Sequence, residues 1–486
     1  GFVLRDDDVV NRVACPTKIL DYVISGVIPV FKSRYIGDFA EMGLNYISYE
    51  DLLCGNIPSE EKRLEMAREN VQLLSKLNDV YLNGIAQLKK EISFNLPKTE
   101  PIVGIVVTTF DKGGLEQVVL NLYNGYRRNG LKTYMLCQEN VLGQMAEQVD
   151  KDSLFVFNSN RDTFFKIIEE KGINILHYHY NTFCMEEMHQ YNVRTIYTMH
   201  NVYAWKDDYE IVEYSKILSS CDCVIPVSNF VKDYFNKRTH GVCKNLNTIY
   251  NGIDFDELRL DELASNTTRE VLGLKKTDVV FAFVASFYPT KGQCGMIGVM
   301  EKLHDLAPNI KLLLVGNIGD PCYYDKFKEL IQDSPAKDSI IHVPYFPHRS
   351  VGAFLRKTAD VFILPTLQEG CSNAVLEAVY CDCPIIMTDI GNSAEMKKLK
   401  SCIVVDPPYS DLTRMTNTDI ILTSCQQDMS NQNEVVEAMC EMARNLDAYK
   451  SYAKISEKDK EEYSTEEMVQ SYVSVIRKVH SGESVG

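Results

Sequence analysis

Short β-branched runs alternate with amphipathic stretches along most of this chain, and the alternation starts at Ile102. Ile102–Thr108 is one strand-length apolar run; after Gly113-Gly114, Leu115, Val118, Val119 and Leu122 recur at helical spacing. Tyr134–Cys137, Leu154–Phe157, Ile173–His177, Thr195–Met199 and Cys223–Val227 continue the strands, with helical segments between them. A second series runs through Val279–Ala285, Ile310–Val315, Ile340–Val343, Val361–Leu364, Pro384–Thr388 and Ile403–Val405. Strand–helix alternation at this spacing predicts parallel, doubly wound sheets. Between the two series, Asn251-Gly252-Ile253-Asp254 opens a polar, acidic stretch up to Lys276, read as the linker. The class is α/β, two Rossmann-like domains facing across a cleft, with ligands expected at the carboxyl ends of the strands.

The first hundred residues fit neither series. Arg5–Lys32 reads as loop, helix, tight turn and strand, the strand lying in Gly26–Val30, and Ser59–Ile92 as one long polar helix. Pro16–Tyr22 with Gly26–Val30 resembles Val375–Val379 with Cys383–Ile386: an acidic residue on an apolar helix, a short turn, then a proline opening a strand. Two readings stand, a partial repeat of the second domain or an unrelated extension. The first makes residues 1–99 a partial α/β segment, cut with the rest from a longer protein carrying tandem modules. The remaining boundaries are 100–265, 266–455, and a C-terminal helical part, 456–486, crossing back to the first domain. Removing residues before about Glu100 is expected to leave the chemistry intact, because every motif below lies after that point. Assay of the shortened chain checks this.

Composition narrows the class. With 486 residues and 45% apolar content the chain has enough to bury several cores, which excludes a disordered or collagen-like protein. No apolar run reaches about 18 residues, so no membrane-spanning helix is expected. The chain opens at Gly1 without a charged-then-apolar leader, and the expected location is cytoplasmic, with contact at the inner face of a membrane allowed. A net charge of −16 argues against a nucleic-acid partner. The 15 cysteines are odd in number, scattered and without a C-x-x-C pair, and read as reduced, apolar packing residues. Alternation puts His177 and His179 on one face as a possible metal pair, but no third ligand is evident; Asp207-Asp208 could suggest a carboxylate pair for a divalent metal, and it is the resemblance described below that implies no metal and no cofactor.

The strongest chemical signal follows the strand Val361–Leu364: Glu369-Gly370-Cys371-Ser372-Asn373-Ala374-Val375-Leu376-Glu377. Glu369 falls in a loop beyond a strand end and Glu377 in the helix after it. Free backbone N–H groups of such a loop and first turn suit a phosphate, and the carboxylates suit sugar and ribose hydroxyls. The plainer alternative is that Glu369 caps the helix and Glu377 is solvated.

With these residues in view, the chain from about Ile102 onward resembles the family-4 retaining glycosyltransferases of GT-B fold. Glu369 and Glu377 match their Glu–seven residues–Glu motif, and Glu377–Ile385 matches in part the run that follows, with Asp382 where glycine is usual. Asn251-Gly252-Ile253-Asp254 resembles the interdomain signature, and Phe110–Glu116 the first glycine-rich loop. Ala285–Gly292 resembles the family's phosphate segment, with Ser286 where an arginine is usual. The resemblance implies transfer of a sugar from a nucleotide-sugar to a saccharide, lipid-linked or protein hydroxyl, in polysaccharide or glycoconjugate assembly of bacterial type. It implies catalytic roles for His200 and Glu369, donor contacts from Gly113, Gly114, Ser286, Lys291, Gly370, Cys371, Ser372, Asn373 and Glu377, and acceptor-side positions for Glu116, His179 and Asn201. A sugar-nucleotide epimerase and a non-catalytic scaffold, the latter motivated by Ser286, remain as alternatives.

Overall fold

The computed structural model describes residues 2–4, 17–35, 39, 42–73, 100–111, 113–241, 243, 245–260, 267–343, 350–483 and 485. Residues 5–16, at the start of the stretch read over Arg5–Lys32, the part of the Ser59–Ile92 helix beyond residue 73, Lys112 and residues 261–266 of the linker lie outside them. Two compact units result, Gly1–Lys98 and Thr99–Gly486.

The first unit holds a parallel three-stranded sheet of β1 (Phe2–Val3), β2 (Val30–Phe31) and β3 (Ile47–Ser48), in that order. The strand expected over Gly26–Val30 is shorter and later. Gly26 takes φ +68° in the turn, and Pro29 has no N–H for the ladder, although its carbonyl accepts from Ile47 N. Val3, Ile19, Val23, Phe31, Phe39, Leu44 and Leu73 form the core of this unit. The helix Thr17–Ile24, a left-handed residue, a proline and two parallel strands follow one another here. The same order recurs in the second unit: helix Asn373–Tyr380, Asp382 at φ +54°, Pro384 and two parallel strands.

In the second unit, β4 (Ile102–Val107), β5 (Lys132–Cys137), β6 (Leu154–Val156), β7 (Ile175–His179), β8 (Arg194–Met199) and β9 (Cys223–Pro226) form one parallel sheet in the order β6-β5-β4-β7-β8-β9. A second parallel sheet repeats the plan with β10 (Val279–Val284), β11 (Ile310–Val315), β12 (Ile340–Val343), β13 (Val361–Leu364), β14 (Ile385–Thr388) and β15 (Cys402–Val405), in the order β12-β11-β10-β13-β14-β15. Strand order therefore reverses between β4 and β7, and again between β10 and β13. Each reversal opens a crevice at the carboxyl ends of its strands.

Two crossings join the sheets. The stretch read as linker contains a helix, Phe255–Leu260, whose Phe255 ring stacks on Tyr380 at 4.5 Å. The return crossing ends in the helix Thr465–Ser481, which packs on the first sheet: Tyr472 hydroxyl meets Thr198 Oγ1 at 3.2 Å, and Met468, Val469 and Ile476 join the core with Val103, Ile105 and Val119. The crossings touch: Ile253 N donates to Tyr463 O at 2.9 Å and Thr465 N to Ile253 O at 2.8 Å. Gly252 fits there because any Cβ would stand 2.1 Å from Ser464 O.

Asp382, where glycine is usual, does adopt the left-handed turn. Its carboxylate pairs with Lys460 at 2.8 Å, and that buried ammonium also lies 5.4 Å from the Tyr380 ring centre. An aspartate tolerates this backbone better than most side chains, and the ion pair offsets the strain.

Candidate active site

The site grows out of the two strand-order reversals. After β13, Pro365–Cys371 forms a loop, and Ser372 caps the helix Asn373–Tyr380 by accepting from Val375 N. Ser372, not Glu369, is the cap. Glu377 is only 3% exposed, so the solvated alternative fails as well. It is buried because Val375 through Tyr380 are all covered, which leaves this helix no exposed stripe at that level. After β10, Ala285 and Ser286 lead into the short turn Pro289–Lys291. Lys291 Nζ reaches Glu369 Oε2 at 2.6 Å, with both side chains largely buried. Asn251, from the first crossing, donates through Nδ2 to Cys371 O at 3.2 Å and Asn373 Oδ1 at 3.1 Å, which fixes the start of the helix.

Opposite lie the ends of β4, β7 and β8. Gly114 opens the helix Gly114–Arg128, and Tyr180 and His200 follow their strands directly. His200 Nε2 is 2.7 Å from His179 Nδ1. His177, one layer behind, sits between Tyr126 hydroxyl at 3.0 Å and Thr198 Oγ1 at 2.7 Å. Contacts at the cavity tie the two sides. Ser228 hydroxyl donates to Gly370 O at 2.7 Å, Gln368 amide donates to Asn201 Oδ1 at 3.1 Å, and Gly370 lies against the His200 carbonyl.

Gly114, His200, Asn201, Ser286, Lys291, Glu369, Cys371, Ser372, Asn373 and Glu377 line one cavity of about 410 Å³. Four expected residues do not line it. Gly113 stands outside with the Glu116 carboxylate folded back over it, and burial raises the pKa of that carboxyl. Gly370 faces His200 backbone rather than the cavity, and His179 lies behind His200, fully buried. The half-sites for metal are also spoken for. Asp207 caps the helix Asp208–Ser219, Asp208 pairs with Arg238, and His177 and His179 hold the contacts given above. Among the described residues no cluster of three or more His, Cys, Asp or Glu is set to hold a metal. Tyr180 and Asn251 line the cavity without having been singled out for it; their signals were a strand-end aromatic and the asparagine of the crossing signature. A larger opening of about 510 Å³ lies farther along the cleft, between the helix Asn229–Thr239 and the ends of β14 and β15. None of the paired glutamates, Lys291 or His200 reaches it, so the chemistry belongs to the smaller cavity.

Burial holds the three histidines neutral. It pushes His177 and His200 down to about 3, with His200 adding to the effect on His177, and sets His179 well below the usual imidazole range. An unfolded chain protonates them near pH 6.5. The unfolded state therefore binds more protons, and stability is expected to fall as pH drops below 6.5 toward 3. A urea midpoint that stays level between about pH 7.5 and pH 5 would show that the folded chain accepts those protons.

Comparison with known proteins gives matches on both halves of the second unit. Residues 112–257 match the family described as Glycosyltransferase Family 4, and residues 264–415 match Glycosyl transferases group 1. The GPI3 subunit of phosphatidylinositol N-acetylglucosaminyltransferase from Saccharomyces cerevisiae is 22% identical over 312 residues, 61% of this chain and 67% of that protein. The Escherichia coli UDP-Gal:alpha-D-GlcNAc-diphosphoundecaprenol alpha-1,3-galactosyltransferase is 25% identical over 204 residues, 40% of this chain and 51% of that one. Among solved structures, sucrose-phosphate synthase from Thermosynechococcus elongatus superposes with a TM-score of 0.60 at 16% identity, covering 79% of this chain and all of that one. Anabaena HepE in complex with UDP gives 0.60 at 13% identity, covering 78% of this chain and 100% of that one.

Proposed function

We propose, for a chain that belongs to the family-4 glycosyltransferases of GT-B fold, that it moves a sugar from a nucleotide-sugar to a hydroxyl acceptor with retention at the anomeric carbon. One observation carries this reading: Lys291, Glu369, Glu377 and His200 meet in one cavity, at the strand-order reversals of both sheets. The donor diphosphate lies against the first turn of the helix Asn373–Tyr380, whose N–H groups are unpaired within the helix. Lys291 then exchanges Glu369 for the phosphates, where its charge meets the negative charge that develops as the sugar leaves. Glu369, released, accepts from hydroxyls of the donor sugar. The phosphate oxygen takes the acceptor's proton on the face it has just left. Glu377 accepts from the ribose hydroxyls.

The relatives' names give the first substrates to test. They specify a phosphatidylinositol and a diphosphoundecaprenol acceptor, so a lipid-linked glycoconjugate intermediate leads the acceptor panel, and UDP-sugars lead the donors. Ser286, in place of a second phosphate cation, favours the non-catalytic alternative. Nucleotide release across a donor panel, with product linkage read by NMR, tests the proposal. Nucleotide binding without release under every donor and acceptor would leave a scaffold.

Glu377→Ala is expected to weaken free nucleoside diphosphate as well as donor. A hydrogen bond to a charged group contributes about 1.5–3 kcal/mol, which is about ten- to a hundredfold in affinity. Calorimetry with the nucleotide alone checks it, and unchanged affinity would remove Glu377 from the ribose site.

A further inference from the structure

We infer that His179 is a positioning residue whose Nδ1–H donates to Nε2 of His200 and holds His200 with its own proton on Nδ1. The inference rests on the placement of His200 against the donor sugar, and adds which atom of His200 meets it.

The 2.7 Å separation of the two nitrogens requires one proton between them. Burial keeps both rings neutral, so each carries a single N–H. Only two arrangements remain. If His200 donates, His179 must carry its proton on Nε2, a buried atom with no hydrogen-bond partner among the described residues. If His179 donates, the same atom is a bare lone pair. Orphaned buried N–H groups are the rarer and costlier of the two, which selects donation from His179.

The donor ring is also clamped. His179 ends β7 in register with Thr198 of β8, and its ring centre lies 4.1 Å from that of His177. His177 is itself held by Tyr126 and Thr198, and Thr198 by Tyr472 of the last helix. Packing and hydrogen bonds thus reach from the C-terminal helix to the cavity wall. Because Nε2 of His200 is engaged, Nδ1 is the only ring nitrogen it can offer a ligand. With a proton there, His200 donates to a sugar hydroxyl oxygen and does not act as a base.

The test uses the full chain with 15N-labelled histidine. Long-range proton–nitrogen spectra should show Nδ1 of His200 protonated and Nε2 bare, assigned by loss of the signals in His200→Gln; the reverse pattern would overturn the inference. Kinetics supply the second arm. The amide nitrogen of His179→Asn stands near Nδ1, whereas that of His179→Gln reaches the Nε2 side. His179→Gln should lose about tenfold or more in kcat at an unchanged donor KM, and His179→Asn should recover most of that loss. Equal losses in the two variants would mean that His179 only fills space. If His200→Ala transferred sugar at the normal rate, the placement of His200 at the donor would fail, while the spectra would still decide the tautomer.

Discussion

Glu369→Gln is expected to lower turnover by about a hundredfold or more while nucleoside diphosphate binding holds or tightens. The Glu369 carboxylate is paired with Lys291, at 2.6 Å. The diphosphate competes with that carboxylate for the same ammonium. Glutamine keeps the shape and one carbonyl acceptor but removes the charge, so Lys291 is left free for the phosphates. The donor sugar loses its anionic acceptor at the same time. Binding and turnover therefore move in opposite directions, which a simple loss of folding does not produce. Two measurements decide it, calorimetry with the free nucleotide and turnover at saturating donor. A Glu369→Gln variant at full rate would take this carboxylate out of the mechanism, and one that no longer binds nucleotide would mean the pair is structural.

The Lys291–Glu369 contact also marks where sequence reading ends. Strands such as Val279–Val284 and Val361–Leu364 were legible, because buried parallel strands are continuous apolar runs. Glu369 and Glu377 were legible as a pair through their spacing, but their environments were not. A glutamate on a helix reads as solvated, and only the covering of both sides of Asn373–Tyr380 makes Glu377 a buried group. His177 and His179 were correctly set on one face by alternation. That His179 serves His200 depends on the register of β7 against β8, which pairs His179 with Thr198 and which no local pattern encodes. The two-residue strand Phe2–Val3 left no periodicity to detect. Asp382 shows the opposite case: it stands where glycine is usual, yet its backbone takes the left-handed turn, and Lys460, 78 positions away, pairs with its carboxylate.

Gly370→Ala tests the close approach of Gly370 to the end of β8 rather than any hydrogen-bonding group. A Cβ at Gly370 would stand 2.0 Å from the His200 carbonyl oxygen and 3.2 Å from Asn201 Cα. Both obstacles are backbone at the end of β8, so no side-chain rotation relieves them. Either the loop Pro365–Cys371 withdraws or the two sheets part. Both movements break the bond from Ser228 hydroxyl to Gly370 O and the Gln368–Asn201 contact, and both carry Glu369 away from His200. Overpacking of this kind costs about 1–3 kcal/mol of stability. The effect on transfer should be larger, because a misplacement of about 1 Å between reacting groups costs about a hundredfold. Free nucleotide, held mainly by Lys291, Glu377 and the helix start on one side of the cleft, should keep most of its affinity. Gly370→Ala is thus expected to bind nucleotide, melt a few degrees lower and transfer sugar about a hundred times more slowly. Normal transfer by a folded Gly370→Ala chain would show that catalysis does not require the approach of Gly370 to the end of β8 seen here.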